Sequence, residues 1–74
     1  MDRDTLMLWW NSDMDYIDWL LDMERQTENV KAGVFMKLGS MKMLAVFLHS
    51  NYQDASLVDA YNKLEGRIYE KYGL

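Results

Sequence analysis

The chain has no cysteine and no proline, and it has a single histidine, His49, among its 74 residues. Without cysteine, disulfides, thiolate metal sites and thiol catalysis are excluded. His49 has no second histidine and no nearby acid at ligand spacing, which argues against a histidine metal site. A chain of this length without disulfides or zinc needs well-packed helices, or a partner, to be stable.

Targeting signals are also missing from the pattern. Residues 1–4 are acidic, whereas a secretory signal begins with a positive flank. The longest apolar region, residues 30–48, is interrupted by three lysines and two glycines, and a spanning helix needs about 20 nearly uncharged residues. We therefore expect a soluble, cytoplasmic protein that does not enter a membrane.

The composition fits one small domain over residues 1–74. Half of the residues are apolar and 27% are charged, which is typical of a foldable chain. No glycine-rich phosphate loop and no calcium-binding loop is present. A catalytic carboxylate pair needs a cleft, which 74 residues hardly enclose. We expect a binding module and not an enzyme, with no cofactor and no metal.

Two helices are predicted from apolar spacing and capping residues. The C-terminal helix has one apolar stripe, formed by Leu57, Tyr61, Leu64, Ile68 and Tyr72. Ser56 or Asp54 can cap its start and Gly73 its end. The N-terminal helix is predicted from about Ser12 to Glu28, with Ser12 as its cap and two aspartates in its first turn.

The middle of the chain is ambiguous. Residues 30–48 fit one helix, two helices broken near Gly39 and Ser40, or two strands joined at these residues by a hairpin. Methionine, leucine, alanine and lysine favour the helix, and alternation is poor. The predicted fold class is all-α, a bundle of three or four helices, with an α+β fold containing this hairpin as the alternative. Met36, Met41 and Met43 are interpreted as core residues more readily than as a binding groove.

Acidic residues are concentrated in the N-terminal third. Residues 1–28 carry eight acids and two bases, whereas residues 29–50 carry three lysines and no acid. On a helical wheel, Asp15, Asp18 and Asp22 share a stripe about 60° wide, with Trp19 beside it. This stripe is either a solvated face that keeps the protein soluble or a surface for a basic partner. The overall acidity argues against direct binding of nucleic acid.

Imitation of DNA is the sharper form of the second hypothesis. The stripe places three charges where duplex DNA would place about six, so one copy is a weak mimic, and a homodimer would double the charge. Because tryptophan is a frequent interface anchor, Trp9, Trp10 and Trp19 are either partner contacts or core residues.

A short N-terminal run resembles a known binding motif. Thr5-Leu6-Met7-Leu8-Trp9 is similar to the pentapeptide by which bacterial proteins bind the replication sliding clamp, Gln-Leu-x-Leu-Phe in its usual form. Leu6, Leu8 and Trp9 match its two aliphatic anchors and its aromatic, Thr5 stands in place of glutamine, and Trp10 is an alternative aromatic. In size and acidity the chain resembles the small phage proteins that inhibit the host clamp.

These observations predict a non-enzymatic inhibitor of a host DNA-handling protein with a basic surface, of which the sliding clamp is one example. Its expected partner contacts are Leu6, Leu8, Trp9, Trp10, Asp15, Asp18, Trp19 and Asp22. The alternative is a small homo-oligomeric structural or accessory protein without such a target. In that case the acidic third of one copy meets the lysines of another.

Overall fold

A computed structural model describes residues 2–74, which form three α-helices. These are α1 (Arg3–Leu21), α2 (Glu28–Tyr52) and α3 (Ser56–Tyr72). No strand is found over the described residues. The all-α class is confirmed, with three helices, and the alternative of a hairpin at Gly39 and Ser40 is wrong.

Helix α1 begins nine residues earlier than predicted. Asp2 is its cap, and the Asp2 carboxylate accepts a hydrogen bond of 2.7 Å from the Thr5 amide. Ser12 therefore lies inside the helix and does not cap it. The prediction favoured Ser12 because two aspartates follow it, but an aspartate before an apolar-periodic run has the same capping chemistry.

The end of α1 also differs from the prediction, since the helix stops at Leu21 and not near Glu28. The Gln26 side-chain amide donates to the carbonyls of Leu20 and Met23, at 3.0 and 2.8 Å. Carbonyls at the end of a helix have no partner within the helix, so this amide closes the terminus. The chain can then turn and start α2 at Glu28.

Helix α2 is continuous through Gly39 and Ser40. The Ser40 hydroxyl donates to the Met36 carbonyl one turn back, at 3.5 Å, an arrangement that keeps a serine inside a helix. The Thr27 hydroxyl caps the start by accepting from the Val30 amide at 3.2 Å. Gln53, in the left-handed conformation, ends the helix.

Helix α3 follows its prediction except at its start, where the N-cap residue is Ala55 and neither Ser56 nor Asp54. Asp54 accepts from the Ser56 amide at 2.9 Å, and Gly73 ends the helix in the left-handed conformation with φ of 71°. The Leu74 amide donates to the Tyr69 carbonyl at 2.8 Å, which satisfies another terminal carbonyl. Four residues of the predicted stripe are buried, and Tyr72 is half-buried.

Helix α2 is the central element, and both other helices pack against it. Helices α1 and α3 run in the same direction beside it. Arg3 contacts Asp54 at one end of this pair, and Asp18 contacts Arg67 near the other end. The Tyr72 hydroxyl also donates to the Gln26 side chain at 2.7 Å, so the end of α3 is tied to the α1–α2 loop.

One core joins the three helices. Its buried residues are Leu6, Trp10, Ile17, Leu20, Leu21, Val34, Leu38, Met41, Ala45, Leu48, Leu57, Tyr61, Leu64 and Ile68. No charged side chain is buried over residues 2–74. Of the three tryptophans, Trp10 is a core residue, whereas Trp9 and Trp19 remain about half exposed.

Candidate interaction surfaces

The outer face of α1 combines carboxylates with large apolar side chains. We call it the acidic face; it consists of Asp4, Leu8, Asp15, Trp19 and Asp22, which lie within about 60° of one another on a helical wheel. Leu8 is 69% exposed and Trp19 is 59% exposed. Two apolar side chains thus stand between three exposed carboxylates.

Most of the acidic face forms no ion pair within residues 2–74, although Asp22 lines a hollow together with Arg67 and Lys71. Asp4, Asp15 and Asp22 form no salt bridge within residues 2–74. Asp18, which lies at the edge of this face, is paired with Arg67 of α3 at 2.8 Å. The predicted stripe therefore has two carboxylates without an ion pair and not three, so electrostatic imitation of DNA by one copy is weaker than the sequence alone indicates.

The helix dipole does not explain the aspartates at the end of α1. Asp18 lies in the last turn and Asp22 follows the last helical residue, where the last turn has no basic residue. Carboxylates at a helix C-terminus oppose the dipole and cost about 0.3–1 kcal/mol each. The predicted favourable role of early aspartates belongs instead to Asp4, in the true first turn.

The residues of the clamp-like run do not share a face. Thr5 to Trp9 lie in the first two turns of α1, where Leu6 is fully buried and Leu8 is exposed. Two residues apart on a helix means about 200° of rotation. Leu6 and Trp10 are core residues, so a partner reaches them only if the start of α1 unwinds. Leu8 and Trp9 are accessible in the folded chain.

The outer face of α2 is a second surface, which we call the apolar face. It consists of Met36, Gly39, Ser40, Met43, Val46 and Phe47, within an arc of about 120° opposite the buried stripe of the same helix. Met36 is 77% exposed and Met43 is 74% exposed, while Met41 is fully buried. The prediction that Met36, Met41 and Met43 are core residues is therefore confirmed for Met41 and wrong for the other two.

The apolar face continues onto the flank of α1. Trp9 lines a shallow hollow together with Ser40 and Met43, and Tyr16 lines a second hollow with Met36 and Ser40. Lys37 marks the border, with its ammonium 5.1 Å from the Tyr16 ring centre. The result is a surface of exposed methionine and aromatic side chains along two neighbouring helices.

Ion pairs hold the two surfaces in place. Lys37 of α2 contacts Asp13 of α1 at 3.2 Å, so one lysine of the middle segment compensates the acidic third of its own chain. At the other edge of α1, Arg3 contacts Asp54 at 2.7 Å. Hydrogen bonds from the Ser56 hydroxyl and amide, and then from the Arg3 guanidinium, lower the pKa of Asp54 to about 2.

Three further side chains, Tyr61, Tyr72 and Asp2, have pKa values shifted by their surroundings. Burial, and then the hydrogen bond to Glu65, raise the pKa of Tyr61 to about 12. Burial also raises the pKa of Tyr72. The Thr5 amide, which donates to the Asp2 carboxylate, lowers the pKa of Asp2. All of these groups stabilise helix ends or contacts between helices.

Neither a metal centre nor a family assignment emerges. Among the residues that the structure describes, no group of three or more His, Asp or Glu side chains is placed to hold a metal ion. Comparison with protein-family models, with curated proteins and with solved structures found no match to this chain. The two surfaces are therefore interpreted from their own chemistry.

The apolar face was not identified from the sequence, although a signal for it is present. Helix α2 is long and apolar enough to qualify, by length and composition alone, as a membrane-crossing helix, yet only 28% of its most apolar 18 residues are buried. The core helix of a soluble protein passes the same composition test. An apolar pattern on every side of a helix predicts a second covered face.

Proposed function

We propose that the protein is a non-enzymatic binding protein that occupies the basic surface of a DNA-handling protein with its acidic face. The observation that carries this proposal is the exposure of Leu8 and Trp19 between carboxylates without intramolecular partners. Opposite charge accelerates and orients the encounter, while the apolar side chains hold the complex.

The positions of the aspartates support the proposal. Asp22 destabilises the end of α1 through the helix dipole, and no ion pair within residues 2–74 compensates it. A charge that opposes folding is typical of a functional site, where local rules are broken for binding. Trp19, whose ring lies 5.8 Å from that of Tyr16, is held in place as an exposed anchor.

The experiment is a capture from nuclease-treated bacterial lysate, followed by competition with the purified captured protein. We expect a protein that binds DNA, that releases the chain as salt rises, and whose DNA binding the chain inhibits. Screening of exposed charges within about 10 Å at 0.1 M salt explains the salt dependence. Capture of no DNA-handling protein, or a captured protein that binds the chain and DNA together, would overturn the proposal.

A matched pair of variants locates the contact. Asp15→Asn with Asp22→Asn removes two charges from the acidic face, and Asp59→Asn with Glu70→Gln removes two exposed charges from α3. At about 0.2–1 kcal/mol for each exposed charge pair, the first variant should weaken binding by up to roughly 30-fold and the second hardly at all. Equal losses in both variants would contradict a contact through α1.

The narrow version names the sliding clamp as the partner, with Leu8 and Trp9 as anchors. Purified bacterial clamp is the probe. Leu8→Ala and Trp9→Ala change exposed side chains and should leave the chain folded, which Leu6→Ala would not do because Leu6 is fully buried. Clamp binding that both variants lose supports this version; no binding of the clamp by the wild-type chain removes it.

A further inference from the structure

We infer that the apolar face of α2 is an interface between two copies of this chain. The inference concerns a different helix face from the acidic face and does not depend on the proposed function, although it shares Trp9 with the version of that function that names the clamp. It begins from the two sides of one helix: α2 buries Met41 and Leu38 inward and leaves Met36 and Met43 outward, each more than 70% exposed.

The exposed area is large enough for a dimer. Six side chains contribute to it, namely Trp9, Tyr16, Met36, Met43, Val46 and Phe47. With roughly 150–250 Å² for a side chain of this size, their exposed fractions amount to about 700 Å² per copy. A standard interface buries about 800 Å² per partner, and isolated monomers rarely expose apolar patches beyond about 600 Å².

Charge favours a second copy at α2 over one at α1. Helix α1 carries four aspartates and one arginine, a net charge of −3, so two copies of α1 repel each other. Helix α2 carries three lysines and one glutamate, a net charge of +2, with no acid after Glu28. Two copies of α2 also carry like charge, but +2 against +2 is a weaker repulsion than −3 against −3, so α2 is the less repulsive of these two helices for self-association.

The pattern on the apolar face suits helix-to-helix packing. Met36, Ser40, Met43 and Phe47 follow spacings of 4, 3 and 4, the repeat by which two helices interdigitate. Gly39 lies in the middle of this face, and a methyl group added there would meet nothing within 4 Å. Glycine inside an exposed helix costs stability in one copy, whereas it permits close approach of a second backbone.

Two copies joined through α2 would leave the carboxylates of the acidic face exposed, because they lie on the side of α1 opposite its buried residues. Trp19 borders the interface through its ring contact with Tyr16. An interface between identical chains with a twofold axis presents the same patch on both sides. The apolar face meets this requirement: Lys42 lines one side of it, and the one carboxylate that lines its hollows, Asp13, is already paired with Lys37.

Sedimentation velocity over about 1 µM to 1 mM, the range of weak to moderate affinities, tests the inference on the full chain. The wild type should shift from the 8.8 kDa monomer to a dimer as concentration rises. Met43→Lys should weaken this dimer by at least about tenfold, because it buries an unpaired charge. Leu8→Lys is the matched control, since Leu8 is equally exposed on the acidic face.

Each outcome of the sedimentation experiment either supports or overturns the interface through α2. A dimer that Met43→Lys disrupts and Leu8→Lys does not supports the inference. A wild type that stays monomeric over the whole range, or a dimer that both variants weaken equally, overturns it. A monomer that instead co-sediments with phosphatidylcholine vesicles also overturns it and assigns the apolar face to a membrane.

A crosslinking experiment covers the case in which Met43→Lys fails to fold. The chain has no cysteine, so Ser40→Cys and Asn62→Cys each introduce a single thiol, on the apolar face and on the outer side of α3. Under mild oxidation, Ser40→Cys should form a disulfide-linked dimer much faster than Asn62→Cys. Equal rates in the two variants would contradict an interface through α2.

Discussion

The outer faces of α1 and α2 lie on neighbouring helices and have opposite chemistry. The face of α1 carries exposed carboxylates with two apolar side chains between them, whereas the face of α2 carries methionine and aromatic side chains without any acid. Charge suits the first to a partner of opposite sign, and apolar area suits the second to a copy of the same chain. The chain thus carries two neighbouring surfaces of different chemistry.

The two sides of α2 provide the largest expected contrast. Met41→Ala should lower the free energy of unfolding by about 2–5 kcal/mol, because it leaves a cavity in the core. Met43→Ala changes an exposed side chain and should stay within about 0.5 kcal/mol. Urea denaturation at low protein concentration measures both. Similar losses for the two variants would show that the outer face is not exposed in solution.

Replacement of a glycine by alanine should change the stability of the chain in opposite directions within a helix and at its end. Gly73→Ala should destabilise the chain by about 1–2 kcal/mol, since Gly73 has φ of 71°. Gly39→Ala should stabilise one copy by up to about 1 kcal/mol, because Gly39 is inside α2 and faces open space. Thermal unfolding followed by circular dichroism measures both changes. A destabilising effect of Gly39→Ala would contradict the open space around this residue in one copy.

Removal of a charge at either end of the acidic face should change the free energy of unfolding by a smaller amount, with opposite sign at the two ends. Asp22→Asn should raise the free energy of unfolding by about 0.3–1 kcal/mol, because it removes a charge that opposes the dipole of α1. Asp4→Asn, in the first turn, should lower it by a similar amount. Urea denaturation at low salt is the measurement. The same sign of effect for both variants would exclude the dipole as their common cause.

The weakest expected effect is a pH dependence at the contact between α1 and the loop before α3. The pKa of Asp54 is lowered from 3.8 to about 2 in the folded chain, so its contribution is complete above 3.8 and is lost as pH falls toward 2. In Asp54→Asn, stability should fall less steeply across this interval. Parallel curves for the wild type and the variant would contradict the lowered pKa of Asp54, and with it the hydrogen bonds from Ser56 and Arg3 that cause it.

Local chemistry explains why some elements were predictable and others were not. The apolar stripe of α3 and the glycine at its end carry strong local signals, and both predictions are confirmed. The prediction for α1 was wrong at both ends, and at the start the reason is that Asp2 and Ser12 have similar capping chemistry. The start depends on which segment packs Leu6 into the core, and the end on a side-chain amide six residues from Leu20.

The features of the candidate surfaces also divide into those that spacing in the sequence predicted and those that depend on contacts between helices. Spacing placed Asp15 and Asp22 on one side of a helix, and the structure places them on one exposed face. Spacing did not show that Arg67 neutralises Asp18 or that Trp10 is buried while Trp9 is exposed. Such outcomes depend on contacts between residues far apart in the chain, which periodicity within one segment does not contain.

The amino-acid sequence alone determined the absence of thiol chemistry and the concentration of acidity in the N-terminal third, and it favoured the all-α class over a fold with a hairpin. These features depend on composition and on periodicity within single segments. Only the packing of α1 and α3 against α2 decided which side of each apolar helix became core and which remained open. Helix α2 is apolar on nearly every side, so its own pattern does not choose between its two faces, and the choice is made by the neighbours that cover one of them.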